Sequence, residues 1–431
     1  MYRILFCLFL VSCAAQKEIS KSADKLLFKD STLADAHVGI SIYNASTNKY
    51  LYNYQANKYF VPASNTKLFT AYTALKYLRD SLPGIQYLDT GDSLYLFPTG
   101  DPTFLHKDFP RQPVAEFLSR QKRALNFSNA NWNDSPLGFG WAWDDYTSDY
   151  MAERSPLPVF GNVIKFVQTM QDEEPIIFTE PDINWKLNFN PDTSSKTFAV
   201  GRLRAENVFR VTTGKEKYRE IEVPFVTDGL TSALDLLRDT IVSMERNVIS
   251  KKAPANVKTI YSQPVDTFLR IMMNRSDNFF AEQTLMMVSN LKLGVMNDGR
   301  LIDNLLKTDL KDAPQQPRWV DGSGLSRYNL FTPYDFVWLL NKMKNEFTLE
   351  RLKHILPTGG QGTITNYFKT DSGYVFAKTG TLSGHVALSG FFITKKNTLL
   401  IFSVLVNNHH GSATAIRRKV EAFLQGVASK Y

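Results

Sequence analysis

The chain has 431 residues, 43% hydrophobic and 21% charged, a globular balance that excludes disordered and fibrous proteins and, at this length, implies two or three modules. Fifty Lys and Arg face 42 Asp and Glu, for a net charge of +8. The excess is spread thinly, without the clustered basic face that nucleic-acid binding needs.

At the N-terminus, Arg3 is followed by a short apolar run from Ile4 to Val11. It is too short for a membrane-spanning helix of about 20 residues and suits the core of a signal peptide. Leu10-Val11-Ser12-Cys13 has the form of a bacterial lipobox. Residues 1–12 are therefore expected to be a removed leader and Cys13 the lipidated first residue, with ordinary cleavage after Ala15 as the alternative. The two cysteines, Cys7 and Cys13, cannot build a disulfide framework, a zinc ribbon or a redox pair. The expectation is an exported protein on the periplasmic side of a bacterial membrane, anchored by lipid alone.

Residues 16–32 read as a polar Lys- and Ser-rich stretch. Val38, Ile40 and Ile42 alternate as a strand should, Asn44–Asn48 is turn chemistry, and Tyr50-Leu51-Tyr52 starts a return strand. From Ser64 the period becomes helical through Leu68, Tyr72, Leu75 and Leu78, with Ser64 at the N-cap or in the first turn. Residues 81–254 differ: rich in Pro, Asp, Asn and Trp, with short apolar runs and one amphipathic segment at Ser232–Val242. Helical patterns return at Val265–Met273 and Asn278–Met287. Val386–Phe391 and Leu399–Val406 form a hairpin of buried strands, and Ile416, Val420, Phe423, Leu424 and Val427 mark a closing helix. Strands at both ends around a helical middle predict one α+β domain, 13–80 with 255–431, interrupted by an insertion over 81–254.

Several familiar sites are missing. None of the six histidines forms a His-Glu-x-x-His pair, and there is no Gly-x-Ser-x-Gly elbow and no Walker loop. His409-His410 reads as a solvated turn or strand end, with metal binding the minority alternative, and the serine chemistry below needs neither a metal nor an organic cofactor. What remains is Ser64-Asn65-Thr66-Lys67, which places a hydroxyl and an amine on neighbouring positions of one helix face, ~5–6 Å apart at the β-carbons. A serine at a helix start sits near the positive end of the dipole, and a desolvated lysine can act as a base. The same spacing recurs at Ser22–Lys25, Ser46–Lys49, Ser119–Lys122 and Ser289–Lys292, so alone it decides nothing. Ser276-Asp277-Asn278 and the single Lys378-Thr379-Gly380 add to it. Singly they read as a helix cap and a turn; in this order with Ser64–Lys67 they form a pattern. On a strand, Gly380 would let a peptide approach the backbone while Lys378 presents a charge.

These three motifs in this order resemble the penicillin-recognising serine enzymes. Val61–Lys67, Gly100–Thr103, Trp141–Asp145, Arg275–Asn278, Asp321–Ser326 and Ala377–Thr381 narrow the resemblance to the class C low-molecular-mass penicillin-binding proteins, D-alanyl-D-alanine carboxypeptidases that also act as endopeptidases. The long gap between Ser64 and Ser276 fits the large insertion of that class.

The resemblance implies a β-lactamase/transpeptidase-like α+β fold, with peptidoglycan stem peptides and cross-links as substrates and β-lactams as covalent inhibitors. It makes Ser64 the nucleophile, Lys67 the base, Ser276 a proton relay and Asn278 a holder of the substrate amide. Lys378 supplies positive potential, Thr379 and Thr381 bind the terminal carboxylate, and the backbone N–H groups of Ser64 and Thr381 form the oxyanion hole. Asp145 corresponds to an aspartate that contacts the diaminopimelate side chain, whereas Trp141 and Trp143 are expected to pack. A serine β-lactamase or esterase on the same fold is the alternative, but no Glu-x-x-Leu-Asn loop is present. A catalytically silent peptidoglycan-binding protein would be expected to lack Ser64, Lys67 or Lys378, and all three are there.

Overall fold

A computed structural model describes residues 16–190, 195–240 and 246–431. The leader, the lipobox and Cys13 lie outside these residues, as does the end of the amphipathic segment at Ser232–Val242. Among the described residues no helix is long and apolar enough to cross a membrane. The chain is α+β and divides into two compact units.

The first unit takes the residues up to Tyr72, Asp266–Asp277 and Ile302–Tyr431. Its centre is a five-stranded antiparallel sheet built from β1 (His37–Asn44), β2 (Lys49–Tyr54), β3 (Val375–Leu382), β4 (His385–Ile393) and β5 (Leu399–Asn407). The order is β3-β4-β5-β1-β2, so the first strand pairs with the last, His37 opposite Asn407. Val38, Ile40 and Ile42 point to one face, where Phe402, Val404 and Val406 join them against Ile416, Val420, Phe423 and Val427 of α5 (Ala413–Ala428). The helical segment over residues 16–28 adds Ile19, Ala23 and Leu27, all fully buried, to the same core. These residues are spaced by four and line one helix face, so this stretch carries a buried apolar face within its polar composition. On the other face Gly39 leaves room for the Phe60 ring, which a β-carbon would meet at 2.4 Å. α4 (Pro333–Phe347) also packs on the sheet. It starts with a capping box in which the Thr332 hydroxyl accepts from Asp335 N and the Asp335 carboxylate accepts from Thr332 N.

The second unit takes Thr73–Val265 and Asn278–Leu301. It holds one five-stranded mixed sheet, ordered Arg246–Ile249, Ala124–Ser128, Ser93–Pro98, Ser81–Asp89, Lys258–Pro264, and two three-stranded sheets. Their apolar faces meet in a core with Leu94, Phe127, Phe166, Phe209 and Phe225. The Gly100–Thr103 motif is a local turn in which the buried Asp101 carboxylate accepts from Thr103 N and Oγ1. Arg154, also buried, reaches Asp134, Glu282 and Asp298.

Candidate active site

The approach to Ser64 is fixed from both sides. Val61 N donates to Asn407 Oδ1 at 2.7 Å and Val61 O accepts from Asn407 Nδ2 at 3.0 Å, which ties the lead-in segment to β5. Ala63 then takes a left-handed conformation (φ 48°) and opens a 3-10 turn, Ala63–Thr66, ahead of α1 (Lys67–Tyr77). Left-handed backbone costs an alanine ~1–3 kcal/mol, a strain usually held where a side chain must be aimed. Ser64 therefore sits in a tight turn before the α-helix.

Lys67 is fully buried, and its Nζ donates to Ser64 Oγ at 3.0 Å and to Ser323 O at 2.7 Å. The loop that offers Ser323 O is organised by Asp321. Its carboxylate accepts from Gly324 N at 2.8 Å, Ser326 N at 2.6 Å and Asn329 Nδ2 at 2.7 Å. Gly324 is required here: its φ is +83° and a β-carbon would lie 1.9 Å from Ala63 O. Thr70 Oγ1 closes the attachment by donating to Gly322 O at 2.6 Å. In the sequence Asp321–Ser326 stands only as part of a pattern; in the fold it holds the acceptor for Lys67.

A second serine–lysine pair faces the first within the same unit. Lys378, on β3 at the sheet edge, is fully buried and donates to Ser276 Oγ at 2.8 Å and to Thr379 O at 2.7 Å. Ser276 follows α2 (Val265–Arg275) and is itself left-handed (φ 61°). Burial, and then the charges of Lys67 and Arg417, push the Lys378 ammonium well below the ordinary lysine range. Lys378 lies within a strand of its own, paired along its length with β4, rather than in a turn before the hairpin. Gly380 is where β3 passes Ser64, since a β-carbon there would stand 2.5 Å from Pro62 O and 3.1 Å from Ser64 N. Thr379 is buried, while Thr381 is exposed and accepts a hydrogen bond from Arg417 Nη2.

The first unit thus brings together Ser64, Lys67, Ser276, Lys378, Thr379, Gly380 and Thr381. Asn278 and Asp145 belong to the second. Asn278 opens α3 (Asn278–Leu293), and its Nδ2 donates to Tyr150 O at 2.9 Å. Asp145 lies in a turn, its N donating to Ala142 O and its O accepting from Ser148 N. Burial above all, with the nearby Asp145 carboxylate, raises the Tyr150 phenol above the ordinary tyrosine range. Trp143 does not pack as expected: it is 66% exposed, with the Arg204 guanidinium 5.4 Å from its ring centre. Two of the competing serines are committed elsewhere, Ser119 Oγ to Glu116 O and Ser289 Oγ to Val295 O and Asn297 O.

A hydroxyl hydrogen-bonded to a buried amine, a second such pair opposite, and an open strand edge beside them suit acyl transfer through a serine. Known proteins agree. The D-Ala-D-Ala carboxypeptidase 3 (S13) family model matches residues 19–427. The D-alanyl-D-alanine carboxypeptidase of Actinomadura sp. (strain R39) is 26% identical, with 93% of this chain and 83% of that protein aligned. D-alanyl-D-alanine carboxypeptidase DacB of Haemophilus influenzae is 22% identical, with 87% and 86% aligned. The solved structure of penicillin binding protein 4 from Haemophilus influenzae gives a TM-score of 0.75 at 20% identity, covering 95% of this chain and 99% of that one, and shows the shared fold. With a match that runs through nearly all of its described length, the chain belongs to the D-Ala-D-Ala carboxypeptidase 3 (S13) family of penicillin-recognising serine enzymes.

Proposed function

We propose that Ser64 is the nucleophile through which this serine-type D-alanyl-D-alanine carboxypeptidase cuts peptidoglycan stem peptides. Ser64 Oγ attacks the carbonyl between the two terminal D-alanines while Lys67 Nζ takes its proton, the bond breaks, and an acyl-enzyme remains. The oxyanion is met by the backbone N–H groups of Ser64 and Thr381, a contribution of ~3–4 kcal/mol per donor. Ser276, held by Lys378, passes a proton to the departing amine. Asn278 holds the substrate amide, and the Thr379 and Thr381 hydroxyls receive the terminal carboxylate. Water then releases the shortened peptide. The same carbonyl chemistry on a β-lactam leaves Ser64 blocked, because the ring-opened amine stays tethered to the acyl group.

Residues 13–80 with 255–431 act as the catalytic domain and 81–254 as an insertion that reads the stem peptide, with Asp145 set to meet the ammonium of a diaminopimelate side chain. Cross-links present the same D-alanyl bond, so endopeptidase action uses the same residues. The apolar run before Cys13 supports export to the periplasmic side and anchoring by lipid at Cys13.

The observation that carries the reading is the 3.0 Å hydrogen bond from Lys67 Nζ to Ser64 Oγ in a buried setting. A fluorescent penicillin should label the peptide containing Ser64, and Ser64→Ala should abolish labelling while the protein remains folded. Label on Ser22, Ser46, Ser119 or Ser289 would remove the assignment.

A further inference from the structure

Three basic residues follow one another on α5, and two are neutralised locally. Arg418 pairs with Glu421 at 2.7 Å, and Lys419 pairs with Asp30 at 2.7 Å. Arg417 has no carboxylate partner among the described residues. It turns instead to β3, where Nη2 donates to Thr381 Oγ1, and its Nε is buried without an acceptor. Its stem shares an apolar wall with Thr379, Val386, Leu388 and Val420, and the guanidinium lies 5.9 Å from the Tyr367 ring centre.

An arginine offers five donors in a planar fork that fits a carboxylate, and most of this fork is uncommitted. A hydroxyl that accepts from arginine still has its own proton to give, so Thr381 and Arg417 can donate side by side to one anion. Lys378 is placed differently. It is fully buried, its donors are engaged by Ser276 Oγ and Thr379 O, and it is poorly disposed to hold a charge there.

We propose that Arg417 is the cationic half of the carboxylate subsite, gripping with Thr381 the C-terminal carboxylate of the substrate and the carboxylate of β-lactams. This rests on the reading of Ser64 as nucleophile and of Thr381 as a carboxylate contact. The two basic residues then have separate roles, Lys378 orienting Ser276 and Arg417 selecting for a free carboxylate.

The test compares a peptide ending in D-Ala-D-Ala with its C-terminal amide on wild type, Arg417→Ala and Arg417→Lys. Active sites are counted by saturating fluorescent penicillin. Arg417→Ala should lower kcat/KM on the carboxylate peptide by about 10- to 100-fold and on the amide by less than threefold. Arg417→Lys, which keeps the charge and loses the fork, should fall between. Equal losses on both peptides, or an unchanged preference for the carboxylate, would overturn the role of Arg417 while labelling at Ser64 still stands. A wild type that neither turns over peptide nor labels would overturn the underlying assignment and this one with it.

Discussion

A single methyl group at Gly380 should push Ser64 away from β3. In Gly380→Ala the new carbon would start 2.5 Å from Pro62 O, 3.1 Å from Ser64 N and 3.1 Å from Ala387 Cβ. An ordinary carbon–oxygen contact is about 3.3 Å, so β3 and the turn bearing Ser64 must part by about 0.8 Å. Ala387 blocks retreat toward β4, and Asn407 pins the turn through Val61, so the strain has few outlets. Overpacking of this kind typically costs about 1–3 kcal/mol of stability. Catalysis should suffer more, because misplacing reacting groups by about 1 Å costs on the order of 100-fold. The assay pairs the second-order rate of fluorescent-penicillin acylation with urea unfolding of the same variant. Acylation within twofold of wild type at an unchanged unfolding midpoint would refute the close approach of β3 to Ser64.

The second prediction concerns Lys378, whose depressed pKa means that the unfolded chain binds its proton more readily than the folded one. Wild-type stability should therefore fall as pH drops below about 10.4, and Lys378→Met should gain stability relative to wild type as pH is lowered from about 10.5 to about 8. Urea midpoints across that range measure it, and a constant difference would mean that Lys378 keeps its charge as freely as in water. The third concerns the insertion: Asp145→Ala should lower turnover of diaminopimelate-containing muropeptides about tenfold and leave acylation of Ser64 by penicillin within twofold. An equal loss on a short D-Ala-D-Ala peptide without the branch would give Asp145 a purely structural role.

The parts of the fold that were legible have one strong local period. Val38, Ile40 and Ile42 in β1 and Ile416 through Val427 in α5 fall where alternation and helical spacing put them. Residues 16–28 escaped because three buried apolar residues were outnumbered by lysines and serines, although their spacing of four carried the signal. The second unit was opaque for another reason: Arg246–Ile249 lies parallel to Ala124–Ser128 across a long stretch of chain, and short runs do not announce their partners. At the site, Ser64–Lys67 was visible because both members lie on one turn. The bond between Lys378 and Ser276 joins distant segments and has no local trace. Ala63 and Ser276 adopt backbone conformations that their residue types do not advertise, and Arg417 is one basic residue among three until its neighbours' partners are known.

The pairing of β1 with β5 also sets when the enzyme can first exist during synthesis. β1 emerges early but can form only a hairpin with β2 until Leu399–Asn407, far downstream, arrives. β3, β4 and the clamp of Asn407 on Val61 come equally late. Ser64 thus waits through most of synthesis with no β5, no Lys378 and no Asp321–Ser326 loop to hold Lys67. The arrangement cannot assemble until β5 is available, and a product truncated before β5 would be inert rather than partly active.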